Sequence, residues 1–172
     1  MTGDSKMFES LSIVFFILSF VILLALAVYD LKYYILPDVL NFFLGVTYIL
    51  FHMSKEWSLV PPSSALTGAL VGGGFLFALR ALAYRFYKKD SLGLGDVKLM
   101  AAAGFGLGFP NIMLAMTVGA GIGLLHGVVM WLRQPRNARK PFEEINVPAG
   151  LGLAVGIGIV FLLQTRFPWL LT

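Results

Sequence analysis

The chain contains no cysteine, which excludes a disulfide framework, a thiolate nucleophile and a cysteine-based zinc site. It is also poor in acids, with nine Asp and Glu among 172 residues, and charged residues make up only 13% against 58% apolar. Soluble domains carry about 25% charged residues. With a mean hydropathy of +0.84, the chain falls among integral membrane proteins, as a single membrane-embedded domain over residues 1–172. No repeat or low-complexity segment stands out, and neither of the two histidines sits in a Ser/His or Cys/His set suited to nucleophilic catalysis.

What is present is a series of apolar runs. They extend approximately over 11–29, 39–53, 65–84, 92–109, 112–132 and 148–164, predicting an all-α polytopic fold of about six transmembrane helices. Crossing a hydrocarbon core of about 30 Å takes about 20 helical residues. The second run is therefore short, and the fourth spans only if Leu92 to Asp96 is counted inside it. If the helix proper begins at Asp96, the Gly-rich turn before it must dip below the surface, where irregular backbone is tolerated only against protein or a water-filled cavity. The first run contains Ala25-Leu26-Ala27, which resembles a processing site. It is preceded by Asp4 and Glu9 where a signal peptide has a basic start, and is expected to be a retained span.

The net charge of +4 and the pI near 9.5 mark topology rather than a nucleic-acid partner. Lys32, then Arg80, Arg85, Lys88, Lys89 and Lys98, then Arg133, Arg136, Arg139 and Lys140 lie on connections of one side. Lys6, Lys55 and Arg166 lie on the other. The positive-inside rule puts the first group in the cytoplasm and both termini outside. Glycines at four-residue spacing, as in Gly68/Gly72, Gly104/Gly108, Gly119/Gly123/Gly127 and Gly152/Gly156, are expected to let helices approach closely within the chain, and could also serve a homo-oligomer.

Two acids stand at the edges of apolar runs. Asp30 ends the first, and Asp96 opens the fourth within Gly93-Leu94-Gly95-Asp96-Val97-Lys98. A carboxylate at membrane depth costs roughly 2.5 to 3.5 kcal/mol at a helix centre, so it marks a functional site by default. The topology places both on the cytoplasmic face. A helix C-terminus disfavours a carboxylate at Asp30 and a helix N-terminus favours one at Asp96, giving the pair unlike proton affinities, as an aspartic protease dyad requires. Taken singly, Asp96 also suits helix N-capping and Asp30 an interfacial position in water.

Tyr29-Asp30, then Leu36-Pro37-Asp38-Val39, then Gly-Leu-Gly-Asp-Val-Lys-Leu-Met from Gly93 to Met100, and Asn146-Val147-Pro148-Ala149-Gly150 resemble the type IV prepilin peptidases. These are membrane aspartic proteases of the Gly-x-Gly-Asp type, also called leader or preflagellin peptidases. The resemblance covers nearly the whole chain. It implies catalysis by Asp30 and Asp96, no metal or organic cofactor, and removal of a short basic leader from single-span prepilin-like substrates in the lipid of the cytoplasmic membrane. Gly93, Gly95, Lys98, Pro37 and Asp38 are expected to bind substrate or support the site. With no cysteine for the zinc site of larger relatives, the chain resembles the compact peptidase-only form. Pro148-Ala149-Gly150 departs from the Pro-Phe-Gly-Pro or Pro-Tyr-Gly run of relatives, and no role is assigned to it.

Asp38, after Pro37, reads as a cap of the second helix. Lys98 suits either charge stabilisation near Asp96 or snorkelling to headgroups. His126 reads as a packed polar residue, and Glu143 and Glu144 as part of a solvated loop. Two further readings compete: a small proton-coupled transporter using the same acids, and a presenilin-like protease, whose Pro-Ala-Leu element is lacking here.

Overall fold

The structure is a computed structural model that describes residues 2–88, 93–135 and 147–171. Among them the chain forms six α-helices: α1 (Thr2–Tyr33), α2 (Asp38–Ser54), α3 (Pro62–Tyr87), α4 (Leu94–Leu107), α5 (Asn111–Leu132) and α6 (Ala149–Arg166). A 3₁₀ turn, Pro168–Leu170, follows. Helices satisfy every backbone donor and acceptor within the segment, which hydrocarbon demands. Proline sets the starts: Pro37, Pro61, Pro110 and Pro148 occupy the N-cap positions of α2, α3, α5 and α6, and Pro62 opens α3. Its fixed φ suits a helix start, and the N–H it lacks would be unpaired there.

The stretches Met7–Tyr33, Pro62–Phe86, Asn111–Leu132 and Ala149–Arg166 are long and apolar enough to cross a membrane, and α2 is a shorter apolar helix. Large apolar side chains face outward, among them Leu24, Leu70 and Leu125 at 65%, 65% and 66% exposure. A soluble protein avoids such a surface and lipid accepts it. The protein is a multi-pass membrane protein.

The central element is α4. It packs against α2, α3, α5 and α6, while α1 closes the ring between α2 and α6. Its 14 residues rise roughly 21 Å at 1.5 Å per residue, less than the about 30 Å of a hydrocarbon core. At least one end of α4 therefore lies at membrane depth, sheltered by the surrounding helices. The helix begins at Leu94 with Gly93 as N-cap, inside the predicted run 92–109 and two residues ahead of Asp96.

The glycines at four-residue spacing do pack helices inside this chain. A Cβ on Gly104 would collide with the backbone of Gly68 and Ala69, so α3 and α4 touch backbone to backbone. On the other side, a Cβ on Gly156 would lie 2.6 Å from Gly119 N and one on Gly152 would lie 2.5 Å from Gly119 O, bringing α5 and α6 together. The apolar core centres on Phe161, whose ring lies 4.8 Å from Tyr48, 5.2 Å from Phe51 and 5.5 Å from Phe16. These rings lie toward the bundle end opposite the C-terminus of α1, leaving the first turn of α4 to be shaped by other contacts.

Candidate active site

Asp30 and Asp96 are buried, 5% and 7% exposed, and Leu36 packs on a glycine beside each of them. They come from α1 and α4, two helices that scarcely touch, and are joined through α6 and the α1–α2 connection. The Oδ2 of Asp30 accepts a hydrogen bond from Leu151 N at 2.8 Å, in the first turn of α6. A Cβ on Gly150 would sit 3.0 Å from the Asp30 carboxyl carbon. Asp96 is the third residue of α4, and its Oδ2 turns back to within 3.1 Å of a Cβ built on Gly93. Its Oδ1 is buried with no hydrogen-bond partner among the described residues.

Asp96 is not the N-cap that it suits when taken singly, since Gly93 holds that position and the helix has no side-chain cap hydrogen bond. The two acids stand at the expected helix ends, Asp30 in the last turn of α1 and Asp96 in the first turn of α4. The Asp30 side chain also reaches the N-terminus of α6, which favours negative charge. Locally, Asp30 has a backbone donor on Oδ2 and Asp96 keeps a buried oxygen without a partner among the described residues.

Leu36, 6% exposed, wedges the two halves together. A Cβ on Gly95 would lie 2.7 Å from the Leu36 Cβ, and one on Gly150 would lie 2.8 Å from its Cδ1. The space that glycine leaves at position 95 is thus filled by Leu36 rather than open to a bound chain. Asn41 adds a second tie. It is 3% exposed and donates from Nδ2 to Gly95 O at 3.3 Å, pinning the first turn of α4 to α2. Its Oδ1 is buried without a partner among the described residues.

Asp38 is not a cap. Pro37 takes the N-cap position of α2 with no side-chain cap bond, and Asp38 instead pairs with Lys98 at 2.6 Å, the two side chains 67% and 49% exposed. Lys98 therefore neutralises Asp38, and the buried pair Asp30/Asp96 is chemically distinct from this exposed carboxylate. Exposed ion pairs contribute about 0.2–1 kcal/mol. Asp38→Asn is accordingly expected to shift the melting temperature in detergent by only a few degrees, a result thermal unfolding would check.

His126 is half-buried on α5. Lys89, Arg136, Arg139, Lys140, Glu143, Glu144 and Asn146 lie outside the described residues. Asn41 and His52 belong to none of the motifs in the sequence, and Leu36 stands in one only as part of Leu36-Pro37-Asp38-Val39. A lone amide in the apolar run Val39–Phe43 was a usable signal, since such residues glue helices together in membranes. His52, fully buried, places Nε2 2.9 Å from Gly106 O. A carbonyl only accepts, so this nitrogen carries the proton. The contact ties the far end of α2 to α4. The donor at Leu151 N had no sequence signal, because every non-proline residue carries one.

Among the described residues, the chain is an all-helical membrane bundle that buries two carboxylates at one end. The sequence profile of the Type IV leader peptidase family matches residues 16–128, and the chain belongs to that family. It is 36% identical over 142 residues to a prepilin leader peptidase/N-methyltransferase of Pectobacterium carotovorum subsp. carotovorum, covering 81% of this chain and 47% of the relative. Against the protein of the same description from Aeromonas salmonicida (strain A449), identity is 30% over 141 residues, covering 82% and 46%. Against that of Escherichia coli (strain K12), it is 29% over 119 residues, covering 69% and 52%. The chain thus spans about half the length of the curated relatives it matches. No solved structure matches it significantly.

Proposed function

We propose that the protein is a membrane aspartic endopeptidase that removes the short basic leader from type IV prepilin-like precursors, whether pilin, pseudopilin or flagellin-like. Asp30 and Asp96 are its catalytic pair. The observation that carries the reading is the burial of two carboxylates at one end of the bundle, bridged by Leu36 packed on Gly95 and Gly150, in a member of the leader peptidase family. A carboxyl pair shares protons as a unit. The ionised member takes a proton from a water molecule as that water attacks the scissile carbonyl, and the protonated member donates to the carbonyl oxygen. Collapse of the tetrahedral species then expels the new amino terminus, which recovers a proton from the pair.

In this reading Gly93 and Gly95 shape the first turn of α4 around Asp96, and Pro37 starts α2 so that Leu36 and Asn41 reach that turn. Lys98 and Asp38 form a charged rim beside it. The excess of basic connections on the same side puts the site at the cytoplasmic face of the cell membrane and the termini outside.

Two experiments test this. Membranes carrying the protein and a co-expressed prepilin-like precursor are expected to yield leader-free product, seen as a mobility shift and by mass. A precursor left intact, with proton flux through liposomes containing the protein, would instead support a transporter. Asn41→Leu is expected to lower the processing rate about tenfold or more while the protein stays folded, because misplacing a reacting group by 1 Å can cost about 100-fold. Unchanged kinetics would remove Asn41 from the site's support.

A further inference from the structure

At the bundle end opposite the aspartates, the beginning of α1 and the ends of α2 and α6 line an open hollow of about 520 Å³. Its rim carries Glu9, Lys55 and Arg166, and its wall descends along Ile13, Phe16 and Phe51. Lys55 and Arg166 terminate α2 and α6, where cations complement the helix C-termini. That accounts for each separately but not for their meeting an acid at one apolar hollow. Neither cation carries an ion pair among the described residues, so both charges are available to a ligand. The volume falls within the about 300–1,000 Å³ of small-molecule sites, enough for a polar head and the first carbons of its chains.

The rim presents two positive charges and one negative, above apolar side chains, on a protein that lives in lipid. We propose that this hollow binds one phospholipid whose head carries both a phosphate and a primary ammonium. The phosphate is held by Lys55 and Arg166, the ammonium by Glu9, and an acyl chain lies against Ile13, Phe16 and Phe51. A headgroup with phosphate alone leaves Glu9 unmatched and repelled. A choline head has no N–H to donate to it. The site is separate from the aspartates, and its occupancy does not depend on what they do.

The test is lipid binding to the purified full chain in detergent, stripped of lipid and titrated with phosphatidylethanolamine, phosphatidylcholine or phosphatidylglycerol of identical acyl chains. Native mass spectrometry would count bound lipid and thermal melting would follow stabilisation. Phosphatidylethanolamine is expected to be retained at roughly fivefold lower concentration than either other lipid, the equivalent of one exposed charge pair. In Lys55→Gln/Arg166→Gln binding of all three should fall to a common weak level. In Glu9→Gln the preference for phosphatidylethanolamine over phosphatidylglycerol should vanish while binding persists. Equal retention of the three lipids by the wild type, or an unchanged preference in Glu9→Gln, overturns the proposal. Circular dichroism of each variant shows that the helices remain.

Discussion

Replacing Asp96 by Asn, or Asp30 by Asn, is expected to reduce leader removal by at least about 1,000-fold, to the limit of detection. Positioned acid or base catalysis is worth about 10²- to 10⁴-fold for each group, and a carboxyl pair that shares a proton loses both roles when one member cannot ionise. Residues that act as a unit are not additive, so the double variant should be no slower than either single one. The substitutions suit the test because they preserve shape. At position 30 an amide oxygen can still accept from Leu151 N, as the carboxylate does at 2.8 Å, so the α1–α6 contact survives. Asp38→Asn is the internal control: its carboxylate is exposed and paired with Lys98, and processing should change by no more than a few-fold. The measurement is the fraction of precursor cleaved with time at matched amounts of folded enzyme. Full activity in either Asp30→Asn or Asp96→Asn would end the dyad assignment.

Gly104→Ala should be the most destabilising single-methyl change in the bundle. The added Cβ would collide with main-chain atoms of Gly68 and Ala69, which cannot rotate away as a side chain tip can, so α3 and α4 must separate. Overpacking costs typically about 1–3 kcal/mol and occasionally more, and a backbone obstacle belongs at the upper end. For a chain of this size, each kcal/mol corresponds to about 2–4 °C, so melting in detergent should fall by roughly 6–12 °C. Because α4 carries Asp96, processing should fall with it. Gly74→Ala on α3 is the matched opposite. Nothing lies within 4 Å of a Cβ there, and Ala in place of a mid-helix Gly stabilises by about 0.5–1 kcal/mol. A Gly104→Ala variant that melts like the wild type would show that α3 and α4 do not touch through the backbone of Gly104.

The six helices were readable because lipid enforces one rule on every residue. Apolar runs of spanning length and prolines at helix starts carry that rule in plain sequence. The glycine spacing was readable for the same reason: absence of a side chain is itself what permits helices to touch, and Gly68 meeting Gly104 needs no other code. Single-residue boundaries were less legible. Nothing in Gly93-Leu94-Gly95-Asp96 says which residue caps, since Gly and Asp both do so readily, and the surrounding helices settled it in favour of Gly93.

The sequence by itself determined that this is a helical membrane chain, with no thiol chemistry, whose two notable acids stand at helix ends. Composition and order suffice for that, because residue type and depth set the first-order cost of a side chain in hydrocarbon. The surroundings of those acids were decided only in three dimensions. Asp30 finds its donor at Leu151, 121 residues away, and Asn41 holds Gly95 across 54 residues. Leu36 fills the hollow that glycine leaves, and Lys98 turns to Asp38 instead of Asp96. Hydrogen bonds and packing act over a few ångströms of space, and a linear chain does not state which of its distant residues will lie that close.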